Sequence, residues 1–166
     1  MATEAIPGDK AFRQLVDALA VRLAGRGWTL ATAESCTGGW IAKCCTDQPG
    51  SSAWFERGFV SYSDAAKHDA LGVDAQVLQF AGAVSEAVVR QMAAGALAHS
   101  AADVALAVTG IAGPDGGSED KPVGTVWFAW DVAGTVESEC MVFAGDRDAV
   151  RRQTVAHALD GLAARL

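Results

Sequence analysis

The chain predicts a three-layer α/β/α sandwich built on a mixed, mostly parallel sheet of about five strands. Three observations predict it. Short apolar segments with strand character alternate with stretches in which apolar residues recur at helical spacing, the pattern of βαβ units. Two further strand-like segments close the series as a late hairpin, which adds antiparallel pairing to the parallel part. The chain has 166 residues, 51% of them hydrophobic, enough to bury one core without disulfides or metal. With no repeat, low-complexity tract or linker, residues 1–166 are read as one domain with a core over about 12–162.

The elements follow in order. Asp9 is placed to cap a first helix that carries Phe12, Leu15, Val16, Leu19 and Leu23 on one face and ends at Gly25 or Gly27. Trp28 to Ala33 reads as a strand, and Glu34-Ser35-Cys36-Thr37-Gly38-Gly39 leads into a helix reaching about Thr46. After the Gln48-Pro49-Gly50 break, Gly58 to Tyr62 is the second strand, and Ser63 caps the helix that carries Lys67. A helical patch spans Asp74 to Phe80. Ser85 caps a longer helix with Val88, Val89, Met92, Ala96 and Leu97 inward, and Val104 to Val108 is a buried strand. Thr109 to Pro122 holds two of the four prolines and four of the eighteen glycines, more than a simple connection needs, and loops of this kind are often functional. Val123 to Trp130 and Thr135 to Phe143 pair around Asp131 to Gly134, and Asp146 caps a final helix with Val150, Val155, Leu159 and Leu162 inward.

Charge and cysteine usage exclude several functions. Thirteen basic against twenty acidic residues leave a net charge of −7, so the diffuse positive field of a nucleic-acid binder is absent. No apolar run reaches the roughly 18 to 20 residues of a membrane span, and Met1 to Phe12 lacks the basic end and apolar stretch of a signal peptide. A cytoplasmic protein is expected. Cys36, Cys44, Cys45 and Cys140 are then reduced thiols, and with no C-x2-C pair and with His68, His99 and His157 in unrelated segments, no metal is expected. No cofactor motif is present either. Self-association into a homo-oligomer is the only macromolecular partnership carried as an expectation.

In open α/β sheets ligands bind beyond the carboxyl ends of the strands, where amides at loop and helix starts point outward. Three segments fit, Glu34 to Gly39, Tyr62 to Lys67 and Thr109 to Gly117. Ser35 stands at a strand-to-helix turn followed by Cys36, Thr37, Gly38 and Gly39, where amides favour developing negative charge. Ser35 or Thr37 in that place could equally be a helix cap, and Cys36 is a rival nucleophile or a small buried side chain. No imidazole lies in these segments apart from His68 immediately after the second, so Lys67, one turn into its helix, is the candidate base for a serine. Tyr62, the single tyrosine, sits at the strand end beside it. A solvated surface lysine and a half-buried tyrosine are the plainer alternatives. The glycine loop at Gly110, Gly113, Gly116 and Gly117 matches neither a P-loop nor a dinucleotide fingerprint, and serves as well as an ordinary turn-rich loop.

Taken together, TAESCTGGWIA (32–42), GSSAWFERGFVSYSDAAKHDALGV (50–73), GAVSEAVV (82–89) and VTGIAGPDGGSEDKPVGTVW (108–127) resemble the CinA C-terminal domain family, most closely its stand-alone PncC-type nicotinamide-nucleotide amidohydrolases. The resemblance runs from about Phe12 to Leu162. It implies a five-stranded α/β/α fold and hydrolysis of nicotinamide mononucleotide (NMN) to nicotinate mononucleotide and ammonia, in pyridine-nucleotide recycling. It also implies Ser35 as nucleophile, Lys67 as base and Tyr62 beside them, with Thr109 and Gly110 at the oxyanion loop. The ligand's phosphate needs donors in an acidic protein, and the amides of Thr37 to Gly39, the glycine loop or Arg147 are the candidates. The larger CinA proteins carry an additional N-terminal domain, and some members are not known to be active. A nucleotide-binding module without turnover, a competence- or repair-related regulator, and a cysteine amidohydrolase using Cys36 are the competing readings.

Overall fold

A computed structural model describes residues 5–166. The helix α1 (Asp9–Arg26) leads to strand β1 (Leu30–Glu34), helix α2 (Trp40–Thr46) and, after a 3-10 turn at Ser51–Ala53, strand β2 (Phe55–Val60). Helices α3 (Asp64–Leu71), α4 (Ala75–Ala81) and α5 (Glu86–Ala98) follow, then β3 (Val104–Gly110), β4 (Thr125–Val132), β5 (Thr135–Val142) and α6 (Arg147–Arg165). The five strands form one sheet in the order β2-β1-β3-β4-β5. β1 pairs in parallel with β2 and β3, and the two remaining pairs are antiparallel, so four strands point one way and β4 alone runs back.

Residue size along the strands separates the layers. In β3, Val104, Leu106 and Val108 face one side and pack with Phe12, Leu19 and Leu23 of α1 and Val155, Leu159 and Leu162 of α6. Ala105 and Ala107 face the other side, where Ala31, Ala33 and Ala129 extend a floor of small side chains beneath Val88, Val89, Met92 and Ala96 of α5. An alanine floor lets α5 lie close to the sheet, and Gly95 lets it lie close to α3 as well: a Cβ there would stand 1.9 Å from the Leu71 carbonyl oxygen.

The differences from expectation are at boundaries. α1 starts on Gly8, in extended conformation and with no side-chain cap bond, so Asp9 is the first helical residue rather than the cap; the helix ends on Gly27 at φ 64°. β1 runs from Leu30 to Glu34, two residues later than its aromatic start suggests, and α2 starts only at Trp40, after Gly38 and Gly39 have both taken positive φ. β2 spans Phe55 to Val60 instead of Gly58 to Tyr62, because its parallel pairing begins with Leu30 opposite Phe55. Tyr62 therefore lies beyond the strand. Gly124, at φ 96° and with its Cβ position 2.0 Å from the Phe143 carbonyl oxygen, sets β4 to start at Thr125 rather than Val123. The caps at Ser63, Asp74, Ser85 and Asp146 each accept a backbone N–H of their helix's first turn.

Candidate active site at the carboxyl edge of the sheet

Because β2, β1 and β3 are parallel and adjacent, their carboxyl ends deliver Ser61-Tyr62, Ser35 and Thr109-Gly110 side by side. The ladder continues past the strands: the Ser35 amide donates to the Val108 carbonyl at 3.1 Å and the Ser61 amide to that of Glu34 at 2.9 Å. Alternation along β1 aims consecutive residues at opposite faces. Ser35 follows Ala31 and Ala33 toward α3, while Glu34 points toward α2.

Lys67 reaches Ser35 from α3. Its Nζ lies 2.9 Å from Ser35 Oγ, 2.9 Å from the Ser61 carbonyl oxygen and 3.0 Å from the Tyr62 carbonyl oxygen. The lysine is 1% exposed and Ser35 7% exposed. Burial holds the Lys67 pKa below the ordinary lysine value, against an opposing pull from Asp64 and Cys36. The neighbouring Cys36 thiol is pushed up to about 12, chiefly by burial.

The other expected residues are placed as follows. Thr109 Oγ1 donates to the Ala83 carbonyl at 3.0 Å, which ties the β3 end to the segment between α4 and α5. Gly110 packs against β4, with Val126 Cγ2 2.7 Å from where a Cβ would be. Thr37, Gly38 and Gly39 border a surface cleft together with Trp40, Lys43 and Arg151. Arg147, the first residue of α6, donates to the Gly113 carbonyl at 2.8 Å and to the Tyr62 hydroxyl at 3.2 Å, bridging the glycine loop and the β2–α3 connection. Tyr62 is otherwise exposed.

Two residues of this edge escaped the sequence reading. Glu34, fully buried, accepts from Thr37 Oγ1 at 2.6 Å and from the amides of Ile41 at 2.8 Å and Ala42 at 3.0 Å. Its carboxyl group thus occupies the amino end of α2; burial raises its pKa, and these hydrogen bonds oppose the rise. Arg151 donates from Nε to the Cys36 carbonyl and from Nη2 to the Thr37 carbonyl, both at 3.1 Å, and its guanidinium lies over the Trp40 ring. A signal for Arg151 was present, since its i,i+4 spacing from Arg147 puts both guanidiniums on one helix face. For Glu34 the signal was an acidic residue closing an apolar strand.

Among the described residues, no group of three or more His, Cys, Asp and Glu side chains is arranged to hold a metal ion, and no helix is long and apolar enough to cross a membrane.

Comparison with known proteins agrees with this architecture. Residues 12–166 match the model of the CinA C-terminal domain. The chain is 57% identical over 157 residues to the Escherichia coli K12 protein named nicotinamide-nucleotide amidohydrolase PncC, covering 93% of this chain and 94% of the relative. It is 60% identical over 131 residues to the Pseudomonas putida protein of the same name, covering 79% and 82%. A CinA-superfamily crystal structure from Escherichia coli superposes with a TM-score of 0.92 at 39% identity, covering 99% of this chain and 96% of the other. From sequence pattern to sheet order to relatives that share nearly its whole length, the chain belongs to the CinA C-terminal domain family.

Proposed function

We propose that this chain hydrolyses the carboxamide of NMN to nicotinate mononucleotide and ammonia, using Ser35 as nucleophile and Lys67 as base through an acyl-enzyme. The relatives named as nicotinamide-nucleotide amidohydrolases support the substrate class. The observation that carries the mechanism is the set of three oxygens around Lys67 Nζ, two of them carbonyls that can only accept and the third the Ser35 hydroxyl. A neutral amine has two N–H donors and one lone pair. With both donors held by the Ser61 and Tyr62 carbonyls, the lone pair is left for the Ser35 hydroxyl proton. Burial, which disfavours the ammonium, makes that neutral form more accessible.

Lys67 takes the Ser35 proton as Oγ attacks the carboxamide carbon, and the resulting oxyanion is held by amides of the Cys36-Thr37 turn and the Thr109-Gly110 segment. Lys67 returns the proton to the leaving nitrogen, with the Tyr62 phenol beside Arg147 as the relay, and ammonia departs. Water then gives a proton to Lys67 and attacks the ester; collapse releases nicotinate mononucleotide and restores the Ser35 hydroxyl. A serine ester, rather than a thioester on Cys36, is favoured because a thiol titrating near 12 holds almost no thiolate at neutral pH. Arg147, with its guanidinium between Tyr62 and the glycine loop, is the proposed phosphate ligand.

Ammonia release by the purified protein from NMN, nicotinamide riboside and free nicotinamide tests the reading. NMN is expected to react fastest and nicotinamide far more slowly, because remote phosphate binding positions the amide. Stoichiometric NMN binding without ammonia would replace the enzyme by a nucleotide-binding module.

A further inference from the structure

We infer that Arg151 is a positioning residue for the oxyanion site, acting through the peptide plane between Cys36 and Thr37; the inference rests on the Ser35 reading above. The turn after Ser35 contains three peptide planes whose orientation decides where its amides point. The Ser35 carbonyl accepts from the Gly38 amide at 3.0 Å, and the Thr37 carbonyl accepts from the Trp40 amide at 3.1 Å as well as from Arg151. The Cys36 carbonyl differs. Among the described residues its one donor is Arg151 Nε, at 3.1 Å.

In a trans peptide the C=O and the following N–H point in opposite directions. Drawing the Cys36 oxygen toward α6 therefore turns the Thr37 N–H away from α6. Among the described residues no carbonyl or side chain accepts from that N–H. An amide two residues past the nucleophile, free and fixed in direction, is what a developing oxyanion requires. The two flanking glycines, Gly38 at φ 61° and Gly39 at φ 96°, make the turn cheap to twist, so an external clamp is needed to hold one plane. Glu34 grips the Thr37 side chain and the start of α2 from beneath, but touches no carbonyl of the turn.

The guanidinium suits this task because one planar fork reaches two carbonyls while lying 5.2 Å from the centre of the Trp40 ring. A lysine ammonium would keep the charge and reach one carbonyl at a time. Arg151 touches no reacting atom in this scheme; its effect passes through the Thr37 amide.

The test compares steady-state NMN hydrolysis by wild type, Arg151→Lys, Arg151→Ala and Ser35→Ala, with thermal stability and NMN affinity measured alongside. Loss of one oxyanion donor typically costs about 10²- to 10³-fold in kcat, and an amide left in place but unclamped should cost less, about 10- to 100-fold, with KM changed no more than about threefold. Arg151→Lys should fall into the same range although it keeps the charge. Millimolar guanidinium should raise kcat of Arg151→Ala and leave that of Ser35→Ala unchanged. Wild-type kcat in Arg151→Lys, or a kcat loss in Arg151→Ala that follows thermal stability and does not respond to guanidinium, overturns the inference. Wild-type turnover by Ser35→Ala would instead overturn the serine reading, whatever the arginine variants do.

Discussion

Lys67 is the residue on which the proposed chemistry turns, and its surroundings make two measurable demands. Burial lowers its pKa, so kcat/KM should rise with pH through an apparent pKa below the ordinary lysine value of 10.5, following the neutral amine. Lys67→Arg keeps a cation but offers no neutral base at accessible pH, so it should be as inactive as Lys67→Met, each at least about a thousandfold down. Near-wild-type kcat in Lys67→Arg at neutral pH would remove Lys67 as the base. The same shift reaches stability. Between the lowered folded pKa and the unfolded value the unfolded chain binds more protons, so wild-type stability rises with pH across that window. Denaturant unfolding of wild type and Lys67→Met should show their difference moving in favour of wild type as pH approaches 10.5; a pH-independent difference would contradict the shift. At this scale much of the site was legible. Ser35 could be placed at a strand end and Lys67 in the first turn of its helix from local pattern, Tyr62 was expected in a strand that stops at Val60, and the family resemblance implied roles for all three. Their mutual contact was not legible from spacing, because a 2.9 Å bond across 32 residues of chain depends on sheet order. The contact of Arg151 was hidden for the same reason, lying 115 residues from the carbonyl it holds, although its spacing from Arg147 could be read.

Elements position these residues, and α3 is the one whose placement matters most. It is capped by Ser63 at the start, and at its end the Leu71 carbonyl oxygen faces Gly95 of α5. Gly95→Ala would ordinarily strengthen a helix by about 1 kcal/mol. Here the added methyl meets backbone at 1.9 Å, so the two helices must part, and overpacking of this kind costs about 1 to 3 kcal/mol. Since Leu71 is one turn beyond Lys67, kcat should fall together with Tm. A rise in Tm would show that the α3–α5 contact is loose. The caps at Ser63, Ser85 and Asp146 were readable because each acts within four residues, by a bond to a first-turn amide, whereas Asp9 was expected as a cap and lies inside its helix. Strand limits were less so. The start of β2 depends on its pairing with Leu30, and that of β4 on how closely Gly124 approaches the Phe143 carbonyl.

Over the whole molecule the sheet order brings three chain segments to one edge, and α6 returns from the far end to add Arg147 and Arg151. Against the acidic net charge of −7, the Arg147 guanidinium is the local exception on which the proposed binding of an anionic nucleotide would rest. A fold of alternating strands and helices was legible from periodicity, whereas the closeness of α5 to the sheet rests on the alanines at 31, 33, 105, 107 and 129, which a pattern of apolar residues does not distinguish from larger ones. In the proposed reaction Ser35 attacks the carboxamide, with its neighbour Cys36 a buried bystander. The most direct measurement is ammonia release from NMN by Ser35→Ala and Cys36→Ala beside the wild type, with NMN binding followed by calorimetry. Ser35→Ala is expected to bind NMN but turn over at least about a thousandfold more slowly, while Cys36→Ala is expected to stay within about tenfold of wild type. Turnover by Ser35→Ala at the wild-type rate, with Cys36→Ala folded and inactive, would contradict the proposed reaction.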